Sequence, residues 1–552
     1  MPISFKSSLL ALSLSLLLTP AWSNATRLEQ AEQRLQAGQA AQAQALVEQA
    51  VQDQGLQTES AWLLLRAQVA QGQIDAAFAT ITKLTQRQQW LPAEWLEGEP
   101  ALAAMRNDAR WPAVLAQAQA RDSQQQRLYG AAALETPYRE TLPLNERLAG
   151  VSRLWSEAKY NFANFDLVPQ LDWDAVYLRT LERVKHTPRT LDYYRELQRM
   201  IAQLQDGHSN VYPAEALFDR MWARPALRTA RIEGRVLITE VLDPQLSRQG
   251  LAPGQEILRI DRQAVDAHVR ARVLPFLAAS TPQDREARAY GAELLAGDVR
   301  QKVALQLRVR DGAAEAVVKT VTIPRLGVEQ VFPLMQREPF AWRMLPGQVA
   351  LVTLNGFDDD TAADAYLQAF DAIAQARAIV FDLRHNGGGN SGVGYRILAT
   401  LTSQPLPTSK WWTRGHVSAW RAWGRPMPVE GGSHGEIQPD AQRHFSGPVA
   451  VLTSAGTYSA AEDFVAAFKA LRRGPVVGTA TGGSTGQPLF FKLPGGGQAR
   501  ICAKRDLLAD GTEFVGKGIA VDVPVAASVA AWRAGRDEVL EAALTQLGER
   551  AR

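Results

Sequence analysis

The chain has 552 residues, of which 46% are hydrophobic and 21% are charged, and its formal net charge is +3. This length exceeds what one hydrophobic core usually accommodates, so several domains are expected. The charges form no basic block, so the composition gives no indication of a nucleic-acid partner. The single cysteine, Cys502, excludes an internal disulfide and a cysteine-based zinc site.

Residues 1–23 have the pattern of a cleaved secretory signal peptide. Lys6 precedes an apolar run over about residues 8–18, Pro20 ends that run, and small residues follow. A membrane anchor is the alternative, but the run is shorter than the roughly 20 residues that a span needs. We therefore expect a periplasmic or secreted protein without a permanent membrane anchor.

Residues 26–121 are predicted to be helical because Ala, Gln and Leu recur there at helical spacing. Two segments, 28–51 and 61–84, each contain a helix, a glycine turn at Gly38 or Gly72, and a second Ala-rich helix. They resemble about two tetratricopeptide-type repeats. The pattern fits a docking surface for a protein partner and a purely structural helical cap equally well.

Two further regions precede the C-terminal half. Residues 140–215 are again predicted to be helical and end in QDGHSNVYP, which places His208 after a tight turn. Residues 218–325 alternate as strands do. There the turn APGQ and the strand EILRID resemble the centre of a PDZ domain, a fold that binds extended peptides at a sheet edge. The alternative is a small β domain without a ligand.

Residues 330–552 are predicted to form an α/β core, with one closing helix from about Ala527. Within it, the buried strand of IVFDLRHNGGGNSG enters a turn with three glycines, 387–389. Such a run leaves backbone amides uncovered, so a ligand can approach closely. The turn lacks the lysine of a phosphate-binding loop and the spacing of a dinucleotide fingerprint. A turn that stabilises an anion fits better.

Ser459 stands where a short buried strand, residues 449–452, meets a predicted helix with one apolar face. Backbone N–H groups in a first helical turn are unpaired and can stabilise an oxyanion. Glu462, three residues later, completes a capping-box pattern. This segment by itself therefore favours Ser459 as a helix cap rather than a nucleophile.

Four motifs in this order, LQDGHSNV, IVFDLRHNGGG, TYSAAEDF and VVGTATGGSTGQP, resemble the C-terminal processing peptidase family. The order of the four motifs is specific, whereas no single motif is. The resemblance covers roughly residues 142–525. It implies a multi-domain α/β fold with a crotonase-like peptidase core, an inserted PDZ-like β domain and an N-terminal α-helical repeat region.

The resemblance also implies site residues. Ser459 matches the family nucleophile, and the amides of Ala460 and of a turn glycine, Gly388, would form the oxyanion hole. The lysine base of the tail-specific branch corresponds to Ser484 here, so that base is absent. The tricorn-like branch uses a histidine instead, which matches His208.

A third residue should orient the imidazole of His208. Glu513, in DGTEF, is the candidate, although the family glutamate often adjoins the glycine, where this chain has Val515. The alternative is that Glu513 is a solvated loop carboxylate.

Four tryptophans between the glycine turn and Ser459 either line an apolar pocket or belong to the core. They are Trp411, Trp412, Trp420 and Trp423.

We therefore expect an exported serine endopeptidase that cleaves peptides or protein tails through an acyl-enzyme. Its substrates would be peptides or unfolded proteins, and it would need no metal and no cofactor. The alternative is a catalytically inactive protein of the same fold that binds peptides or an apolar ligand.

Overall fold

The computed structural model describes residues 20–309 and 317–550. The chain divides into two units, Met1–Ala131 and Ala132–Arg552. Most of the predicted signal peptide, residues 1–19, lies outside the described residues, so that prediction is not tested. Within the described ranges, no helix is long and apolar enough to cross a membrane.

The described part of the first unit is helical. Small residues such as Ala43, Ala61 and Ala77 are fully buried, which lets neighbouring helices approach closely. Gly38 and Gly72 end helices with positive φ angles of 72° and 74°, which glycine adopts without strain. The helices are Pro20–Gln36, Ala40–Gln54, Thr58–Ala70, Ile74–Gln86, Ala93–Gly98, Ala103–Arg106 and Trp111–Gln125. An N-terminal helical region is therefore present, and its repeat type stays a prediction.

The second unit begins with three helices, Leu144–Asn161, Trp173–Lys185 and Thr190–Ile201. Their apolar faces share one core with a small antiparallel sheet, which also buries Cys502. That sheet has the strand order Asn210–Tyr212, Gly497–Cys502, Pro488–Leu493. Because His208 lies two residues before the first of these strands, the sheet fixes the position of its backbone.

An antiparallel sheet with its own core follows. Its strand order is Leu227–Ile232, Arg235–Val241, Glu256–Ile260, Val303–Val309, Val317–Ile323, and Gln263–Ala264 pairs with the third strand. The helices in and next to this region are Phe218–Met221, Pro244–Arg248, Val265–His268, Pro282–Tyr290 and Val328–Met335. The β-rich character predicted for residues 218–325 is thus present, and the PDZ-like assignment stays a prediction.

A six-stranded sheet forms the centre of the C-terminal half. Its order is Val523–Pro524, Val476–Gly478, Val449–Thr453, Ala378–Asp382, Val349–Leu354, Phe340–Leu345. Only the last pairing is antiparallel. The helices Thr361–Ile373, Ser391–Leu398 and Ala460–Leu471 pack on one face, and Glu538–Arg550 packs on the other. Covered on both faces, the central strands are continuous apolar runs.

The remaining elements are short. They are the sheet Val429–Ser433, Lys410–Arg414, Arg505–Leu507, the pair Leu406–Pro407 with Glu436–Ile437, and the helix Ser418–Ala422. Trp423 is 65% exposed, so the four tryptophans do not form one core cluster. The prediction of a single closing helix from about Ala527 is wrong. Two helices, Val529–Arg533 and Glu538–Arg550, are separated at Gly535, whose φ of 70° ends the first.

Candidate active site

Ser459 lies in a strained turn between the strand Val449–Thr453 and the helix Ala460–Leu471. Its φ of 54° and ψ of −125° are rare for a residue with a side chain. Strain of this kind persists only where the surrounding structure enforces it, and it is concentrated at functional sites. The turn directs the Ser459 hydroxyl toward a histidine from a distant part of the chain.

That histidine is His208. Its Nε2 lies 3.1 Å from the Ser459 Oγ, although 251 residues separate the two in sequence. The imidazole is 4% exposed and stacks on Tyr458, with ring centroids 5.1 Å apart and an interplanar angle of 13°. The buried carboxylate of Asp206 accepts a hydrogen bond from the His208 backbone N–H at 3.0 Å. Tyr458 thus holds one face of the His208 ring, and Asp206 holds the His208 backbone.

Ser484 lies at the other ring nitrogen. Its Oγ is 2.7 Å from the Nδ1 of His208, and its side chain is buried. This is the position at which the tail-specific branch of the resembled family would have lysine. A hydroxyl therefore contacts the imidazole where the sequence predicted a carboxylate.

The carboxylate of Glu462 connects the nucleophile helix to the loop of Ser484. It is fully buried and receives a hydrogen bond of 3.3 Å from the Ser459 backbone N–H. Its other donors are the Thr481 hydroxyl, the Gly483 and Ser484 amides and the Thr485 hydroxyl. Burial raises the pKa of Glu462 to about 7, against the effect of these hydrogen bonds. The capping-box spacing identified this residue, but not its contacts with the Ser484 loop.

Glu513 does not contact His208, which corrects the predicted third residue. Its carboxylate instead accepts a hydrogen bond of 3.3 Å from the fully buried Arg505. Arg505 also pairs with Asp166 and donates to Asn164, whose amide contacts Asp206. The buried charge of Arg505 attracts the Glu513 carboxylate, while both nitrogens of the imidazole already have hydroxyl partners.

Gly388 lies against Ser459, but its amide is engaged. A Cβ on Gly388 would lie 2.6 Å from the Ser459 Cβ, and φ is 98°, so only glycine fits. Its N–H donates to the Asn386 side chain at 2.9 Å. The Ala460 N–H, by contrast, has no acceptor among the hydrogen bonds of the described residues. The Ala460 amide is therefore free for an oxyanion in this conformation.

The model of Peptidase family S41 matches residues 348–525. This segment contains the glycine turn, Ser459 and Ser484. The chain thus contains a segment that matches peptidase family S41. It is accordingly a serine-type peptidase, a hydrolase. His208 lies outside the matched segment, and the structure supplies its contact with Ser459.

Solved structures have a fold similar to that of this chain. Mature CPAF is 14% identical, with a TM-score of 0.56, and the match covers 71% of this chain and 94% of that one. Mature CPAF complexed with lactacystin is 15% identical, with a TM-score of 0.57 and coverage of 74% and 99%. At these identities the likeness concerns the fold alone. No curated protein matches the chain.

The surroundings of His208 favour its neutral form. Burial, followed by the positive charges of Arg500, Arg288 and Lys504, lowers the pKa of His208 to about 3. A neutral imidazole can accept a proton through Nε2, whereas an imidazolium cannot. The imidazole of His208 is therefore neutral at neutral pH.

The Gly207→Ala substitution tests how tightly the His208 turn is held. An added Cβ would lie 1.8 Å from the Tyr458 hydroxyl, so either the tyrosine or the turn must move. We expect a fall in kcat/KM of at least about 10-fold and destabilisation of about 1 to 3 kcal/mol, measured by peptide hydrolysis and denaturant unfolding. Gly98→Ala is the control, since its Cβ meets no atom within 4 Å. Equal effects of the two substitutions would contradict this steric account.

Proposed function

We propose that the chain is an exported serine endopeptidase in which Ser459 is the nucleophile and His208 is its base. The observation that supports this best is the 3.1 Å separation between the Ser459 Oγ and the His208 Nε2. That distance lies within the reach required for direct proton transfer. A purely structural histidine would not need a strained serine at its Nε2.

The chemistry follows from these contacts. The Ser459 oxygen bonds to the substrate carbonyl carbon while its proton moves to the His208 Nε2, and the Ala460 N–H stabilises the resulting oxyanion. The same proton then passes to the leaving amine as the C–N bond breaks, which leaves an acyl-enzyme. Water attacks the ester with His208 again as base, and the carboxylic product leaves with Ser459 restored.

A second amide for the oxyanion is proposed from the glycine turn. Gly388 has the required proximity to Ser459, and its N–H is 2.9 Å from Asn386 Oδ1. Its use as a donor requires that this hydrogen bond be shared with the oxyanion, since one N–H can be bifurcated between two acceptors. The Ala460 amide supplies the donor that needs no rearrangement.

The other parts of the chain fit this activity. The sequence motifs support a crotonase-like core, a PDZ-like domain over residues 218–325 that receives an extended chain, and tetratricopeptide-like helices that dock a partner. The pattern of residues 1–23 supports export. Substrates of this kind are unfolded protein tails or peptides, which can enter a site as extended chains.

The test is hydrolysis of an internally quenched peptide by the purified chain, with a free or an amidated C-terminus. Ser459→Ala should abolish turnover, because alanine lacks the hydroxyl oxygen that forms the acyl-enzyme. Ser247→Ala, at an exposed serine, is the matched control. Turnover that persists in Ser459→Ala would overturn the assignment. A folded wild-type chain that binds peptides without cleaving them would favour the inactive binding protein.

A further inference from the structure

The base of this site has an unusual partner. Among the described residues, the one hydrogen-bond partner of the His208 Nδ1 is the Ser484 hydroxyl, at 2.7 Å. The nearest carboxylate of the His208 turn, Asp206, is directed to the backbone N–H and to the Ser209 hydroxyl instead. The group that orients the imidazole is thus neutral.

The identity of that group determines whether His208 can act as a base. A neutral imidazole has its proton on either Nδ1 or Nε2, and only the form protonated at Nδ1 has a lone pair at Nε2 to accept the Ser459 proton. The hydrogen bond at one ring nitrogen sets the state of the other. The Ser484 hydroxyl must therefore accept from Nδ1–H and donate its own hydrogen elsewhere.

Tyr458 can receive that hydrogen. Its hydroxyl is buried and has no partner of standard geometry within the described ranges. The Ser484 hydroxyl is nevertheless close enough to lower the pKa of this phenol, which burial raises well above its usual value. Because Tyr458 also stacks on His208, one aromatic side chain contacts both members of the pair.

The backbone of Ser484 is fixed independently of its side chain. Its N–H donates to the buried Glu462 carboxylate at 2.9 Å, and its carbonyl oxygen accepts from the Ser459 N–H at 3.2 Å. The neighbouring Gly483 N–H donates to the same carboxylate at 2.7 Å. Removing only the hydroxyl of Ser484 therefore leaves the contacts that hold its loop.

We propose that Ser484 is the positioning residue that keeps His208 in the tautomer able to accept the Ser459 proton. This inference rests on the proposed function, in which His208 is the base. The charged groups that act on the imidazole are Arg500, Arg288 and Lys504, and the titratable groups beside His208 are Asp206 and Tyr458. Since the partner is a hydroxyl, no carboxylate of the described residues contacts the ring to stabilise a charged imidazolium.

The first test observes the tautomer directly in the wild-type chain. With only 7 histidines, 15N-labelled imidazole resonances can be assigned with a His208→Gln reference. We expect the protonated nitrogen of His208 to be Nδ1 at neutral pH. In Ser484→Ala we expect the population to move toward Nε2–H, with kcat lowered about 10- to 100-fold and KM within about 3-fold. A wild-type ring protonated at Nε2, or a fully active Ser484→Ala, would overturn the inference.

A second variant keeps the inference testable if Ser484→Ala does not fold. Ser484→Asp places a carboxylate at Nδ1, which stabilises the imidazolium and should move the acid limb of the pH profile of kcat/KM to higher pH. A purely structural role of Ser484 would lower activity without moving that limb. Labelling of wild-type Ser459 by a fluorophosphonate separates the two proposals. If Ser459 is not labelled, the proposed function fails. If Ser459 is labelled but the acid limb of Ser484→Asp does not move, only the role of Ser484 is refuted.

Discussion

Replacing His208 with alanine should lower kcat/KM for peptide hydrolysis by at least about 10³-fold while the chain stays folded. Without the imidazole, no described group lies at hydrogen-bond distance from the Ser459 Oγ to accept its proton. The effect should appear in kcat rather than KM, because His208 acts on the reacting atoms rather than on the bound peptide. Initial rates of hydrolysis of a quenched peptide at several concentrations give both kcat and KM.

His186→Ala is the control for that substitution, since His186 is exposed at the end of a helix. It should leave kcat and KM unchanged. The circular dichroism spectrum of His208→Ala should match that of the wild type, since the substitution shortens only one side chain, which stacks on the Tyr458 ring. If His208→Ala retained more than about a tenth of wild-type kcat, His208 would not be the base.

The activity should also persist into acid. Burial lowers the pKa of His208 to about 3, so the base stays neutral at pH 5. A histidine with an ordinary pKa near 6.5 would be about 97% protonated there, and kcat/KM would fall about 30-fold relative to its plateau. We expect kcat/KM at pH 5 to lie within about 2-fold of its value at pH 7.5. An acid limb with a midpoint near 6.5 would contradict this assignment.

Stability must be followed in the same buffers, because the same shift affects folding. The folded-state pKa of His208 lies below its unfolded value, so its stabilising contribution is present above about pH 6.5 and is lost as pH falls toward 3. The raised pKa values of Glu462 and Asp463 act oppositely, since their contributions are present at low pH and lost as pH rises through about 7 and 6. Thermal unfolding of wild type and His208→Gln isolates the histidine effect.

Local sequence patterns predicted the parts of the site that lie on single elements. The apolar run before Ser459 and the amphipathic helix after it place a serine at a strand–turn–helix junction, where the structure also has it. The consecutive glycines predicted a turn that a ligand can approach closely, and in the structure Gly388 lies against Ser459. The family resemblance, rather than periodicity, indicated His208.

The parts that depend on long-range contacts were not predictable from spacing. Ser484 contacts His208 across 276 residues, and nothing in GGSTG distinguishes an orienting hydroxyl from a loop serine. Glu513 was expected at the imidazole, but the buried charge of Arg505 competes for it. The hydrogen bond that engages the Gly388 amide depends on the orientation of the Asn386 side chain. Each outcome is decided by partners that only the folded chain brings together.

Reaction of the purified chain with a fluorophosphonate, followed by peptide mass spectrometry, tests the central claim most directly. The Ser459 oxygen should displace fluoride and form one covalent phosphonate adduct, which maps to Ser459 and is absent in Ser459→Ala. Labelling should slow in His208→Ala, because the hydroxyl loses its base. An adduct on another serine, or no adduct on a folded chain that cleaves peptides, would contradict Ser459 as the nucleophile.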